Sequence, residues 1–277
     1  MDFARESLKK TTHEMIKNGT WEYREGVFTI HLPEGIAGFD GNDYYLDDLS
    51  DKAKKKAKKT LNFILGLEID LDSFYSEISD SKFSFLIEEF WGLRPPASPT
   101  PYQALVETVA QQQVSFEFAM KTIENLVRMA GKKSRGLYRF PEVEEILMLG
   151  DRIKEAKLGY RARYILELSD KVYRGELDLK YAEKAGEEEG IRYLTKFRGI
   201  GRWSAELFLT YAFRKNTYPA GDLGIRRGIA AIFGKRAKEV KEKDVREIID
   251  PFGKWKSLLA FYVICYDRKL QSSLKKK

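Results

Sequence analysis

Gly199-Ile200-Gly201, two glycines around one apolar residue, stands between two helical runs and sets a narrow limit on the backbone there. The run from Gly190 to Lys196 leads in, and the run from Ser204 to Phe213 leads out. Glycine adopts backbone angles that other residues tolerate poorly, so this triplet allows a turn too tight for most sequences. The turn opens on a helix start. The first amides of a helix lack partners within it, and the helix dipole places positive potential at the same end. Such a turn is ready to receive an anion such as a phosphate. Arg198 and Arg202 flank it. By itself the pattern describes an ordinary corner between two helices equally well.

Asp222 lies 21 residues beyond Gly201, within Tyr218-Pro219-Ala220-Gly221-Asp222, and opens a third helical run from Leu223 to Phe233. Asp is a preferred N-cap, so capping alone accounts for it on residue grounds.

The glycine turn followed by Pro-x-x-Asp at a helix start resembles the helix-hairpin-helix/Gly-Pro-Asp DNA glycosylase superfamily. Several further segments are similar to its alkylation-repair branch, the 3-methyladenine DNA glycosylase II family. They are Pro101-Tyr102-Gln103-Ala104-Leu105-Val106, Gln111-Gln112-Gln113-Val114-Ser115, Leu158-Gly159-Tyr160-Arg161 with Ile165, and Pro251-Phe252-Gly253-Lys254-Trp255-Lys256-Ser257. Leu65-Gly66-Leu67, Asp70 to Tyr75 and Gly92-Leu93-Arg94-Pro95-Pro96 match the lead-in segments. The likeness spans about residues 61 to 270. Only the turn with its Asp and the Gln-Gln-Val-Ser stretch are specific, and their order along one chain adds weight.

The resemblance implies a mainly α fold. It is a two-lobed helical bundle with a cleft between the lobes, preceded by a small α+β domain with an antiparallel sheet. The division falls at 1–66 for the small domain and 67–277 for the helical one. The implied activity is hydrolysis of the N-glycosidic bond of an alkylated purine, such as 3-methyladenine, flipped out of duplex DNA. Asp222 is then the catalytic carboxylate, held by the helix end and aimed into the cleft. Arg198, Gly199, Ile200, Gly201 and Arg202 form the hairpin on the DNA backbone, where a monovalent cation is conceivable. Bifunctional relatives carry an imine-forming lysine where this chain has Trp203, so the implied enzyme is monofunctional. Trp203 is a candidate wall of the base pocket, able to stack on an electron-poor base. The second pocket aromatic of the family is replaced by Leu207, and the wedge that fills the gap in the duplex falls at Gln113. Tyr102, Phe116 and Tyr218 are further pocket candidates, with core packing as their alternative. The implied partner is damaged double-stranded DNA, bound by a monomer of the prokaryotic cytoplasm or nucleoid. Two other readings stay open: a glycosylase for oxidised or deaminated purines, and a DNA-binding protein without catalysis.

Composition is compatible. The net charge is +7 and the sequence pI about 9.1, which favours polyanionic partners. The single cysteine, Cys265, permits neither an internal disulfide nor the cysteine cluster of an iron–sulfur or zinc site, so no metal or iron–sulfur cofactor is expected. No signal-like start and no apolar run of ~20 residues is present, so a soluble protein without a membrane span is expected. Thr20 to Tyr23 and Val27 to Leu32 predict a β-hairpin around Arg24-Glu25-Gly26, with Phe28, Ile30 and Leu32 on one face. Asp51 to Leu65 predicts a helix. Its lysines, between Lys52 and Lys59, read as a solvated face or as a DNA-binding arm.

Overall fold

The computed structural model describes residues 3–15 and 17–274. The chain opens with α1 (Phe3–His13), then strands β1 (Trp21–Arg24), β2 (Val27–Leu32), β3 (Gly35–Phe39) and β4 (Tyr44–Tyr45), then α2 (Asp51–Leu65). The strands form one antiparallel meander in chain order. The β1–β2 turn, Glu25-Gly26, has positive φ at both residues (52° and 86°), the requirement of a tight two-residue hairpin. Phe28, Ile30 and Leu32 share the buried face of β2, as their alternation predicts. With Ala57, Leu61, Ile64 and Leu65 of α2 and Leu8 of α1 they make one core. The lysines of α2 face outward, apart from a half-buried Lys54; Lys56 pairs with Glu34 at 2.5 Å. Among the described residues, no helix is long and apolar enough to cross a membrane.

In this part of the chain, helix α1 and strands β3 and β4 were not located from sequence. Helix α1 buries Ser7, Thr11 and Thr12 rather than an apolar stripe. The Ser7 hydroxyl donates to Gly92 O at 2.5 Å, and Thr11 Oγ1 accepts from Arg94 N–H at 3.1 Å.

The remaining chain is helical: α3 (Leu71–Ile78), α4 (Phe85–Glu89), α5 (Pro101–Ala110), α6 (Phe116–Ala130), α7 (Val143–Leu149), α8 (Arg161–Tyr173), α9 (Leu179–Lys184), α10 (Glu187–Leu194), α11 (Arg202–Phe213), α12 (Leu223–Ile232), α13 (Glu242–Ile249) and α14 (Lys256–Leu274). A two-stranded ribbon, 133–134 with 137–138, interrupts it between α6 and α7. These helices have two cores. One gathers residues of α5 to α11, from Tyr102 to Ala212. The other joins α3 and α4 to α12, α13 and α14. The chain thus starts one lobe, builds the whole of the other, and returns to finish the first. It crosses between lobes at 94–100 and again at 214–222. Two arginines fasten the crossings to the carbonyl end of α2. Arg94 donates to Gly66 O (2.8 Å) and Ile69 O (2.7 Å), and Arg214 donates to Phe63 O (2.9 Å) and Ile64 O (3.3 Å). A cation at a helix C-terminus is favourable, although burial lowers the Arg214 pKa to about 10.

Candidate active site

Helices α10 and α11 meet through the glycine turn. Gly199 takes φ +90°, and a Cβ there would stand 2.8 Å from Cγ of Tyr164, so conformation and contact both demand glycine. Gly201 differs. Its φ of −88° suits any residue, and a Cβ would meet nothing within 4 Å. It is the N-cap of α11, which has no side-chain cap, so the helix start is left to open space. Ile200 is buried and pins the turn to the lobe. Helix α10 begins at Glu187, earlier than the sequence reading: Glu187, Glu188 and Glu189 fill its first turn, where acidic groups offset the dipole.

A second loop braces the turn. Gln112 Nε2 donates to Gly199 O at 2.7 Å and to Ser204 Oγ at 3.0 Å, while Arg161 Nε donates to Gln112 O at 2.7 Å. The next residue, Gln113, is exposed with φ +55°, and its Oε1 accepts from the Tyr160 hydroxyl at 3.3 Å. The proposed wedge and the proposed phosphate turn therefore share one surface.

Asp222 ends the second crossing and caps α12. Its Oδ1 accepts from Gly224 N–H (2.8 Å) and Ile225 N–H (3.3 Å). Its Oδ2 accepts from the Trp203 indole Nε1–H at 3.1 Å. Capping and exposure to the cleft thus coexist in one half-buried carboxylate. One turn further along α12, Arg227 pairs with buried Asp267 at 2.6 Å.

Helix α11 lines the approach to Asp222 with Trp203, Leu207 and Tyr211, spaced four apart on one face. Burial raises the Tyr211 hydroxyl to about 12; the Arg268 cation opposes this, and the negative charges of Glu107 and Asp222 add to it. Arg268, on α14, lies over the ring of Phe116 with its guanidinium 4.5 Å from the centroid. Ile264, one turn before it, stands 3.4 Å from where a Cβ of Gly224 would be. Tyr211 was legible as the next step of the Trp203–Leu207 face. Gln112 lies in the Gln-Gln-Val-Ser stretch, which did not reveal its contact with the turn, and Arg268 had no signal.

Other candidates are placed elsewhere. Tyr102 belongs to the core of the α5–α11 lobe, its hydroxyl 2.6 Å from Ser169 Oγ and its ring edge-on to Phe140. Tyr218 is buried in the other lobe and donates to Asp250 Oδ1 at 2.6 Å. Both satisfy their hydroxyls away from the Asp222 cleft, so the structure corrects their reading as pocket walls. The half-exposed Arg202 side chain pairs with Glu188 (2.7 Å) and buried Glu206 (2.9 Å). Arg198 is exposed, beside Glu167 at 3.6 Å, and stays available.

Comparisons with known proteins place the chain in a family and match its fold. The model of a family described as "HhH-GPD superfamily base excision DNA repair protein" matches residues 106–253. A DNA-3-methyladenine glycosylase of Bacillus subtilis is 26% identical over 230 residues, 79% of this chain and 76% of its own length. Among solved structures, a 3-methyladenine DNA-glycosylase from Archaeoglobus fulgidus superposes with a TM-score of 0.81 at 28% identity, covering 96% of this chain and 95% of that one. The 8-oxoguanine glycosylase/lyase of Clostridium acetobutylicum, solved with double-stranded DNA, shares the fold with a TM-score of 0.77 at 22% identity, over 91% and 89% of the two chains.

Proposed function

The chain belongs to the HhH-GPD superfamily of base excision DNA repair proteins, and from that premise we propose that it is a monofunctional DNA glycosylase releasing alkylated purines such as 3-methyladenine. One observation carries the reading. The hairpin position that faces the carboxylate holds an indole, which donates to Asp222 and cannot form an imine. Asp222 supplies negative charge beside the sugar as the bond from C1′ to the base nitrogen breaks. The bonding pair leaves with the base, which is neutralised if alkylation had made it cationic. Water then adds to C1′ and loses its proton to the carboxylate or to solvent. A preorganised charge of this kind is the largest ordinary source of such catalysis. The base must first leave the duplex, and Gln113 is suited to fill the gap.

The turn at Gly199–Gly201, with the open start of α11, is the proposed grip on the duplex backbone, with Arg198 beside it. Its carbonyls could share a monovalent cation with a phosphate; no chemical step runs through such an ion. We take the acting form to be a monomer. The test is single-turnover reaction with duplexes carrying one modified base each, scoring free base and strand breaks separately. Release of alkylated purines leaving an intact abasic strand is expected. Strand breaks formed without heat or alkali, or release confined to 8-oxoguanine, would overturn the assignment.

A further inference from the structure

The segment ahead of the sheet reaches the last helix, α14. Helix α1 ends at His13, and the next residue, Glu14, approaches Arg268 with an Oε2–NH1 distance of 3.5 Å. The Glu14 side chain is largely buried. Its other oxygen lies 3.8 Å from the exposed His13 ring. Arg268 in turn covers the ring of Phe116. Helix geometry places Arg268 on the same face of α14 as Ile264, which stands against Gly224 beside Asp222. A cation therefore sits one helical turn from the residue packed beside the Asp222 cap, on an aromatic face of the kind a flipped base would use.

This is an awkward place for a positive charge under the function proposed above, on which the inference rests. A purine alkylated at N3 or N7 carries positive charge until the bond breaks, and an uncompensated guanidinium would repel it. Glu14 provides the compensation. It belongs to none of the segments that carry the family likeness, and it lies 254 residues from its partner in sequence.

We propose that Glu14 is a specificity-determining residue: its ion pair with Arg268 cancels the pocket cation and holds the guanidinium, so that a positively charged base can be admitted beside Phe116. Glu14 acts through Arg268 and need not touch the base. The small N-terminal segment thereby contributes to substrate choice, besides packing on the helical lobes.

The test compares the full-length parent with Glu14→Gln, Arg268→Gln and the double variant. Single-turnover excision is measured on duplexes containing 7-methylguanine, which is cationic, and hypoxanthine, which is neutral. Two charges roughly 8 Å apart at an effective dielectric of ~20 interact strongly enough to change a rate about tenfold or more. Glu14→Gln should lower the cationic-to-neutral rate ratio by about that factor while binding to abasic duplex stays within twofold. Arg268→Gln should keep the parental ratio or raise it. The double variant should regain the ratio lost in Glu14→Gln, a rescue that a merely structural role for Glu14 would not give. An unchanged ratio in Glu14→Gln, an equal loss on both bases, or no rescue overturns the proposal. If Glu14→Gln fails to fold, the double variant decides: a folded double variant with a ratio well below that of Arg268→Gln counts against it, and an equal ratio supports it. A parent inactive on 7-methylguanine and 3-methyladenine overturns the assigned function and this proposal together. An active parent whose ratio does not respond overturns this proposal alone.

Discussion

Replacing Asp222 by Asn separates the chemistry of the carboxylate from its structural work, because the two oxygens have different partners. Asn keeps one acceptor for Gly224 N–H and Ile225 N–H, so the cap survives. The amide nitrogen then faces the Trp203 indole N–H, a donor against a donor at a separation that is 3.1 Å in the parent. A hydrogen bond to a charged group contributes about 1.5–3 kcal/mol, and the lower end applies at this half-exposed site. Loss of negative charge at the start of α12 adds about 0.3–1 kcal/mol. The sum is about 2 kcal/mol, a lowering of Tm by roughly 3–4 °C for a chain of this size. From sequence alone the same substitution would be nearly silent for stability; the indole contact changes that expectation. Excision of an alkylated base should fall by ~10²-fold or more, as when a charge-stabilising group is removed elsewhere. Trp203→Phe removes the opposing donor. In that background Asp222→Asn should cost about 1 kcal/mol less, a coupling readable by chemical denaturation in a double-mutant cycle. Parental excision rates in Asp222→Asn would remove Asp222 from the mechanism, and strict additivity would remove the indole–carboxylate contact.

Three further outcomes follow from the same geometry. Gly199→Ala should destabilise by about 2–4 kcal/mol through positive φ and contact with Tyr164, whereas Gly201→Ala should leave Tm within about 1 °C yet weaken binding to damaged and undamaged duplex alike; filter binding against salt checks this, with a slope of about −0.9 per phosphate neutralised. Borohydride during turnover should trap no covalent adduct with the parent, while an adduct formed only by Trp203→Lys would show that this position faces the sugar; trapping by the parent would direct attention to Lys196 and Lys215. Burial raises the Glu107 carboxyl, which accepts from Ser98, Gln103 and Asn18 without any cation among them, so the unfolded chain gives up this proton at lower pH than the folded one; folding stability should decline as pH rises from ~4.3 toward the raised value, and melts of Glu107→Gln should lose that component.

Much of the site was legible because its chemistry demands local patterns. A glycine turn, a helix start and a capping Asp are written in consecutive residues. The α2 boundaries and the β1–β2 hairpin were legible for the same reason: period and turn chemistry lie within a few residues. Helix α1 was not, because its buried face is polar and is satisfied by Gly92 and Arg94 more than 80 residues away. Strand β3 was hidden by its composition. Gly38 packs against Tyr45, and glycine is a poor strand signal. The pocket was read too generously at Tyr102 and Tyr218, since an aromatic next to a motif residue on a helix can face either the cleft or the core. It was read too narrowly at Arg268 and Gln112, whose partners arrive from other elements.

The bracing of the glycine turn makes sense once the start of α11 is seen as a single rigid part with two uses. Arg202 is its first residue and Trp203 its second, so the open amides and the indole lie within one helical turn of about 5.4 Å. No joint separates the proposed phosphate grip from the group that holds Asp222 Oδ2. A backbone phosphate seated at Gly201 therefore fixes where the sugar stands relative to the carboxylate. It also means that any shift of the turn is passed on, and misplacement by 1 Å can cost a reaction about 10²-fold. Gln112 on the Gly199 carbonyl, Tyr164 against its Cα and the buried Ile200 all restrain that shift. Gly199→Ala should accordingly slow single-turnover excision even when duplex is saturating. If it weakened binding alone, the grip and the carboxylate would be independent, and the rigid coupling through α11 would be wrong.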